Sequence, residues 1–175
     1  VFIHILSNTY TMRHLIYITL CLFGLATTAQ STILINNVVI FNGKDEKTIT
    51  GNVLVVNNLI QKISTSPIPT NKSGNTVIID GKGKFLMPGL IDAHWHAILT
   101  ASTMNELMYA EPGYVFIKAG DEAANTLMRG FTSVRDLGGP SFGLKKAIDD
   151  GVIDGPRIWP SGSIISQTSG HGDFR

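Results

Sequence analysis

His94 and His96, separated only by Trp95, are the residues of this chain whose type and spacing can do chemistry. Along an extended strand side chains alternate between faces, so the two imidazoles share one face, about 6.6 Å apart along the backbone, while Trp95 turns the other way into packing. Neutral imidazole is the commonest metal ligand, and two on one face supply half of a four-coordinate site for zinc or a similar ion. Histidines also occur as ordinary, partly buried residues, so the residues leading up to the pair carry weight. Pro88-Gly89 breaks the chain before the apolar Leu90-Ile91, and the stretch from Phe85 to His96 reads as a buried strand that ends in the two histidines. Asp92 has the parity of the histidines one layer deeper, where a carboxylate can hold a ring nitrogen in place.

The elements needed to position such a strand follow from the rest of the chain. Thr32 to Ile40 is rich in β-branched residues and closes on Asn42-Gly43. Gly51 to Val56 and Leu59 to Ile63 flank Asn57-Asn58, a pair suited to a two-residue hairpin turn because Asn tolerates positive φ. A polar loop over Pro67 to Gly74, a strand over Thr76 to Asp80, and a turn at Gly81-Lys82-Gly83 into Lys84 to Met87 complete a small all-β segment. From residue 88 the rhythm becomes strand, helix, strand. Ala97 to Tyr114 reads as a long connection that shapes a pocket mouth. Phe116, Ala119, Ala123 and Leu127 recur at helical spacing, with Arg129 in the last turn and Gly130 just beyond it. Phe131 to Asp136 reads as the next strand and Leu137 to Pro140 as a loop. Leu144, Ala147 and Ile148 mark a short amphipathic helix stopped by Gly151, and Pro156 to Pro160 a third strand. Alternation of this kind implies βαβ units and a parallel sheet, within an α/β fold.

Period alone does not separate a barrel from a doubly wound sheet. Wording does: Pro88-Gly89-Leu90-Ile91-Asp92-Ala93-His94-Trp95-His96 resembles the first barrel strand of the amidohydrolase superfamily, whose metal site begins with a His-x-His pair. Gly130 to Gly139 and Gly155 to Gly162 resemble its second and third units. The resemblance implies a (β/α)₈ TIM-type barrel, of which residues 88–175 hold about the first three βα units in truncated form, preceded over residues 30–87 by part of a small β-sandwich. It further implies a divalent metal, zinc by preference, as one ion or two. His94 and His96 are then metal ligands at the C-terminal end of the first strand, the end at which barrels place their active sites. The superfamily's other ligands, a carboxylated lysine, two histidines and an aspartate that is also the general base, belong to later strands. No catalytic base is therefore expected within these 175 residues.

Ser166 to Arg175 is a Gly/Ser-rich loop carrying His171 and Asp173. By composition it is equally a wet surface loop or a substrate loop. Its wording resembles the imidazolonepropionase-like branch, particularly exported dipeptidases acting on Xaa-Pro and similar substrates, which assigns His171 a substrate-binding or carbonyl-polarising role. Gln167 and Asp173 are weaker candidates. Arg135-Asp136 reads as a structural ion pair at the barrel rim, and Trp95 and Trp159 as packing residues.

Fourteen basic and thirteen acidic residues, with no run of one sign, argue against nucleic acid as a partner. The partner expected is a small-molecule or dipeptide substrate, and association into a homo-oligomer is compatible with the sequence. Met12-Arg13-His14, the apolar run Leu15 to Leu25 and Ala26-Thr27-Thr28-Ala29 have the form of a secretory signal within residues 1–29, with Met12 as the start and Gln30 as the mature N-terminus. Eleven apolar residues fall short of the ~20 that span a bilayer, so no stable membrane span is expected after cleavage. Export to the periplasm or outside the cell follows. Cys21, the only cysteine, leaves with the signal, so packing rather than disulfides must hold the mature protein. Asn71-Lys72-Ser73 matches a glycosylation acceptor, a pattern short enough to arise by chance. The sequence reads as an N-terminal portion of an exported, metal-dependent hydrolase of amide bonds, most of all a dipeptidase. The alternatives are a hydrolase of a cyclic amide or imidazolone, and a non-catalytic binding protein on the same scaffold.

Overall fold

The computed structural model describes residues 30–70, 75–170, 172 and 173. The expected signal segment, the Asn71 acceptor and His171 lie outside the described residues. The chain divides into two compact units, one up to Met87 and one from Pro88.

The first unit is built on β1 (Thr32–Ile40), β2 (Ile49–Val56), β3 (Leu59–Ser64), β4 (Thr76–Asp80) and the short β5 (Phe85–Leu86). Their order is β3-β2-β1-β4, with β5 pairing farther along β1. β1 and β2 are antiparallel, with Thr32 opposite Val56 and a bulge between Ile35 and Val38 where Asn37 takes a φ of 52°. The β2–β3 hairpin turns on Asn57 at φ 55°, the left-handed conformation that Asn accepts more readily than most residues. β4 and β5 run parallel to β1. Gly81 sits against the β1 bulge so closely that a Cβ there would meet Val38 Cγ1 at 2.2 Å. Leu34, Val38, Ile40 and Val53 are buried. Among the described residues this unit is one sheet rather than the two layers of a sandwich. Leu59, Ile60 and Val77 stand 69%, 66% and 55% exposed, so their apolar surface is uncovered.

The second unit contains β6 (Leu90–Trp95), α1 (Met104–Tyr109), α2 (Pro112–Met128), β7 (Phe131–Asp136), α3 (Phe142–Asp149) and β8 (Arg157–Pro160). β6, β7 and β8 form a parallel sheet in that order. Strand–helix–strand succession in a parallel sheet needs a long crossover, and the helices provide it. They bury their apolar stripes on one face of the sheet, where Trp95, Ala119, Ala123, Val134, Leu144 and Ile158 make a single core. Full burial of side chains such as Val134 and Ile158 contributes about 1.5–3 kcal/mol apiece.

Four sequence expectations need correction here. β6 is not a buried strand: Ile91 is largely exposed, because β6 lies at the edge of the three-stranded sheet and the helices cover only one face. The span Ala97 to Tyr114 is not plain connection, since it holds α1 and the start of α2. A capping box starts α1: Thr103 Oγ1 accepts the Glu106 N–H at 3.2 Å, and the Glu106 carboxylate accepts the Thr103 N–H at 2.8 Å. α2 follows at once, with Glu111 as N-cap and Pro112 in the first turn, where its missing N–H costs nothing. Its buried stripe is Val115, Ala119, Ala123 and Thr126, so Ala119 and Ala123 are covered as expected while Val115 and Thr126 take the places expected of Phe116 and Leu127. Finally, Trp159 is 61% exposed rather than packed, because its neighbour Ile158 takes the covered face. Among the described residues, no helix is long and apolar enough to cross a membrane.

Candidate metal centre and adjoining cavity

The three parallel strands of the second unit finish at one edge, stitched together by backbone bonds. Leu137 N–H donates to the Trp95 carbonyl at 2.9 Å and Ser161 N–H to the Asp136 carbonyl at 2.9 Å. Beyond them Gly139 N–H reaches the Gly162 carbonyl at 3.0 Å. Whatever follows β6, β7 and β8 is therefore gathered around a common end, the carboxyl end of the sheet, where parallel α/β folds place their sites.

His94 and His96 are at that end. Their ring centres are 5.3 Å apart with planes at 71°, side by side as the two-residue spacing demands, while Trp95 between them is buried on the helix side. Two imidazoles bound to one tetrahedral ion at about 2.0–2.1 Å would have ring centres about 5 Å apart, so the spacing fits a shared metal. The Nδ1 of His96 is buried and has no hydrogen-bond partner among the described residues. An unpaired buried nitrogen costs about 1–3 kcal/mol, and a ligated cation would offset that cost. Among the described residues no group of three or more His, Cys, Asp or Glu side chains converges on a point. The two histidines by themselves could supply only part of a metal's ligand set.

Asp92 does not hold a ring nitrogen. Its Oδ1 accepts the backbone N–H of His94 at 3.0 Å. The reason is an irregularity in the pairing with β7: Asp92 faces Val134 and Trp95 faces Asp136, so three steps on β6 match two on β7. That extra residue is a bulge, which breaks the alternation that gave Asp92 the histidines' parity and turns the following side chains. The carboxylate closes the bulge through the backbone instead of touching an imidazole.

Arg135 and Asp136 do not pair with each other. Adjacent residues on a strand point to opposite faces, and here Arg135 Nε donates to the Ala93 carbonyl at 3.0 Å while Asp136 points into the core. Asp136 is 0% exposed; its Oδ1 accepts the Ala97 N–H at 3.0 Å and its Oδ2 accepts the Ser141 hydroxyl. Both residues therefore grip the segment that carries the histidines, Arg135 just before the pair and Asp136 just after it. Strand parity was a signal that could have shown this from sequence.

In the loop after β8, Asp173 Oδ2 accepts the Ser169 N–H at 2.9 Å and Ser166 Oγ accepts the Gly172 N–H at 3.3 Å, folding the loop on itself. The Gln167 carbonyl takes the Gly170 N–H in the same turn. The structure thus gives Gln167 and Asp173 loop-forming contacts.

A cavity of about 560 Å³ opens beside the strand ends. Ile98 and Leu99 come to it from the segment after β6, Gly139 and Pro140 from the loop after β7, and Ser163 and Ile164 from the loop after β8. α1, the start of α2 and Gly172 also contribute to its wall.

The model of the family described as "Amidohydrolase family" matches residues 85–174, just over half of the chain and nearly all of the second unit. The chain belongs to the amidohydrolase family. Among curated relatives of this amidohydrolase chain, the ochratoxinase of Aspergillus niger is 38% identical over 92 residues, covering 51% of this chain and 19% of that protein. The imidazolonepropionase of Treponema denticola is 35% identical over 74 residues, covering 42% of this chain and 18% of that protein. Of solved structures, a prolidase complexed with N-methylphosphonate-L-proline is 34% identical with a TM-score of 0.72, covering 83% of this chain and 35% of that one. The α/β fold is accordingly that of amidohydrolase structures, and the chain spans about a fifth of its curated relatives and a third of the solved chain.

Proposed function

We propose that the whole protein hydrolyses amide C–N bonds in dipeptides with a divalent metal ion, zinc by preference, held in part by His94 and His96. One observation carries this reading: two imidazoles at metal-sharing distance, one with a buried nitrogen unpartnered among the described residues, at the carboxyl end of a parallel sheet. When bound, such an ion acidifies a water and polarises the scissile carbonyl. The chain's own residues keep the ligand strand fixed. Asp136 and Arg135 clamp the backbone on either side of the pair, and Asp92 closes the bulge that turns it. The general base and the remaining ligands belong to parts of the protein other than the described residues.

The prolidase and ochratoxinase neighbours support a dipeptide-like substrate. In this reading β6, β7 and β8 are the opening strands of a (β/α)₈ barrel, and the first unit is one layer of a sandwich whose exposed apolar side chains a second layer covers. The signal-like segment before Gln30 supports export with cleavage just before Gln30, and secreted protein found by N-terminal sequencing to begin at Met12 would refute that cleavage. The imidazolonepropionase relative favours a second reading, ring opening of a cyclic amide by the same ligands.

His94→Ala/His96→Ala in the full-length protein tests the metal role. Metal content by mass spectrometry and hydrolysis of a panel of dipeptides and cyclic amides should both fall to background. Retained metal refutes the ligand assignment. Bound metal in the unmutated protein without turnover of any panel member would make it a binding protein instead.

A further inference from the structure

The cavity beside the strand ends is walled by Ile98, Leu99, Leu107, Met108, Val115 and Ile164, and no charged side chain lines it among the described residues. Its volume of about 560 Å³ lies within the range of about 300–1,000 Å³ found for small-molecule sites. Its wall draws on the segments that follow all three strands, at the end of the sheet where the histidines lie, and shares Ile98, Leu107 and Val115 with the core under the helices. Ile98 is only two residues past His96. Two hydroxyls are present in this apolar wall, Ser102 and Ser163, and the Ser102 Oγ is buried without a partner among the described residues. A large apolar pocket with one or two polar groups selects by shape and desolvation. A charged side chain entering it would lose its hydration with nothing in return.

We infer that this cavity is the specificity pocket of the hydrolase and takes an uncharged aromatic or large aliphatic side chain flanking the scissile amide. The inference rests on the amide-hydrolase reading above and narrows its substrate class. It puts specificity on α1 and the segment after His96.

The test uses the full-length, metal-loaded enzyme and dipeptides in which each position in turn carries Phe, Leu, Gly, Asp or Lys. At one of the two positions, kcat/KM for Phe or Leu should exceed that for Gly by about tenfold or more, and exceed that for Asp and Lys further. Met108 is 56% exposed on α1, so the fold should tolerate a charge there. Met108→Asp should move the Phe-to-Lys preference toward Lys by about tenfold, and Met108→Lys should move the Phe-to-Asp preference toward Asp. Opposite shifts from opposite charges are not a result that misfolding gives. A flat panel with good turnover, or preferences unmoved by either variant, would show that the pocket does not receive substrate, for instance because another part of the protein fills it, and would leave the hydrolase reading intact. No turnover of any substrate would overturn that reading and this inference together.

Discussion

The two faces of the β6-β7-β8 sheet are made by alternate residues of the same strands, yet they do different work. Val134 and Ile158 sit opposite each other across neighbouring strands and are 0% and 1% exposed beneath the helices. Arg135 and Trp159, the next pair along, lie on the face the helices leave open, with Trp159 61% exposed. His94 and His96 flank the buried Trp95 and so share that open face. The covered face is chosen by volume and apolarity, which any well-packed core requires. The open face carries a guanidinium, an indole and two imidazoles, groups that a core would reject unless each found a partner. A difference this sharp between neighbours one residue apart separates what holds the unit together from what it presents to something else.

The strongest test of the comparison removes everything that the open face could meet. Residues 30–175 made alone should neither turn over amides nor hold zinc tightly, because two histidines leave an ion mostly hydrated and the open face and sheet edges unprotected. Stoichiometric tight binding with turnover by the isolated piece would break the comparison outright, since the open face would then be complete in itself. Within the full-length protein, Ile158→Ala should cost about 2–5 kcal/mol in urea unfolding by leaving a cavity against Val134. Trp159→Ala, one residue on, should cost far less if only solvent meets it. A large loss at Trp159 would mean that another layer of the protein packs on the open face, which is what a closed barrel requires.

A smaller effect is expected at the seam between the faces. Asp136 is the one carboxylate of the sheet turned into the covered side, and it is kept there by the Ala97 N–H and the Ser141 hydroxyl. Asp136→Ala strands both donors and should destabilise by about 1–3 kcal/mol. It should also loosen metal held by His94 and His96, because the segment just after the pair loses its anchor. Asp136→Asn, which keeps an acceptor for Ala97, should restore much of the metal affinity. If Asp136→Ala unfolds more easily but binds metal as before, the residue is structural only.

Most strands were legible because their signals are local. The β-branched run of β1, the Asn57-Asn58 turn, and Gly130 at φ 97° after α2 each express a preference contained in a few residues. The His94-Trp95-His96 spacing survived for the same reason, since alternation over two residues needs no knowledge of the neighbours. What failed was parity carried across a bulge, as at Asp92, because a bulge is set by pairing with β7 and leaves no mark in β6 alone. The exposure of Ile91 and Trp159 failed likewise, being decided by what covers a face and not by the residue. Two misses were avoidable. Thr103-Met104-Asn105-Glu106 is a capping-box pattern that announces α1, and the odd–even rule forbids Arg135 and Asp136 from pairing.

The smallest effect concerns how the wall of the cavity is held, on the helix side of the sheet. Glu106 on α1 bonds Lys118 Nζ on α2 through both carboxylate oxygens at 2.9 Å, and the same carboxylate closes the capping box on Thr103. The Lys118 contact, followed by the bonds from the Thr103 amide and hydroxyl, lowers the Glu106 pKa from 4.5 to about 2. Because the folded value lies below the unfolded one, the unfolded chain takes up the proton first as pH falls. The stabilisation is therefore complete above pH 4.5 and is lost as the pH drops through about 2. The pair is partly exposed, so salt should weaken it and its share of stability should be modest. Between those two pH values the unfolding midpoint of the unmodified protein should fall more steeply than that of Glu106→Gln, with the gap narrowing in high salt. Parallel curves for the two proteins would show that α1 is held against α2 by packing alone, and that the acid-sensitive tie has no part in shaping the cavity.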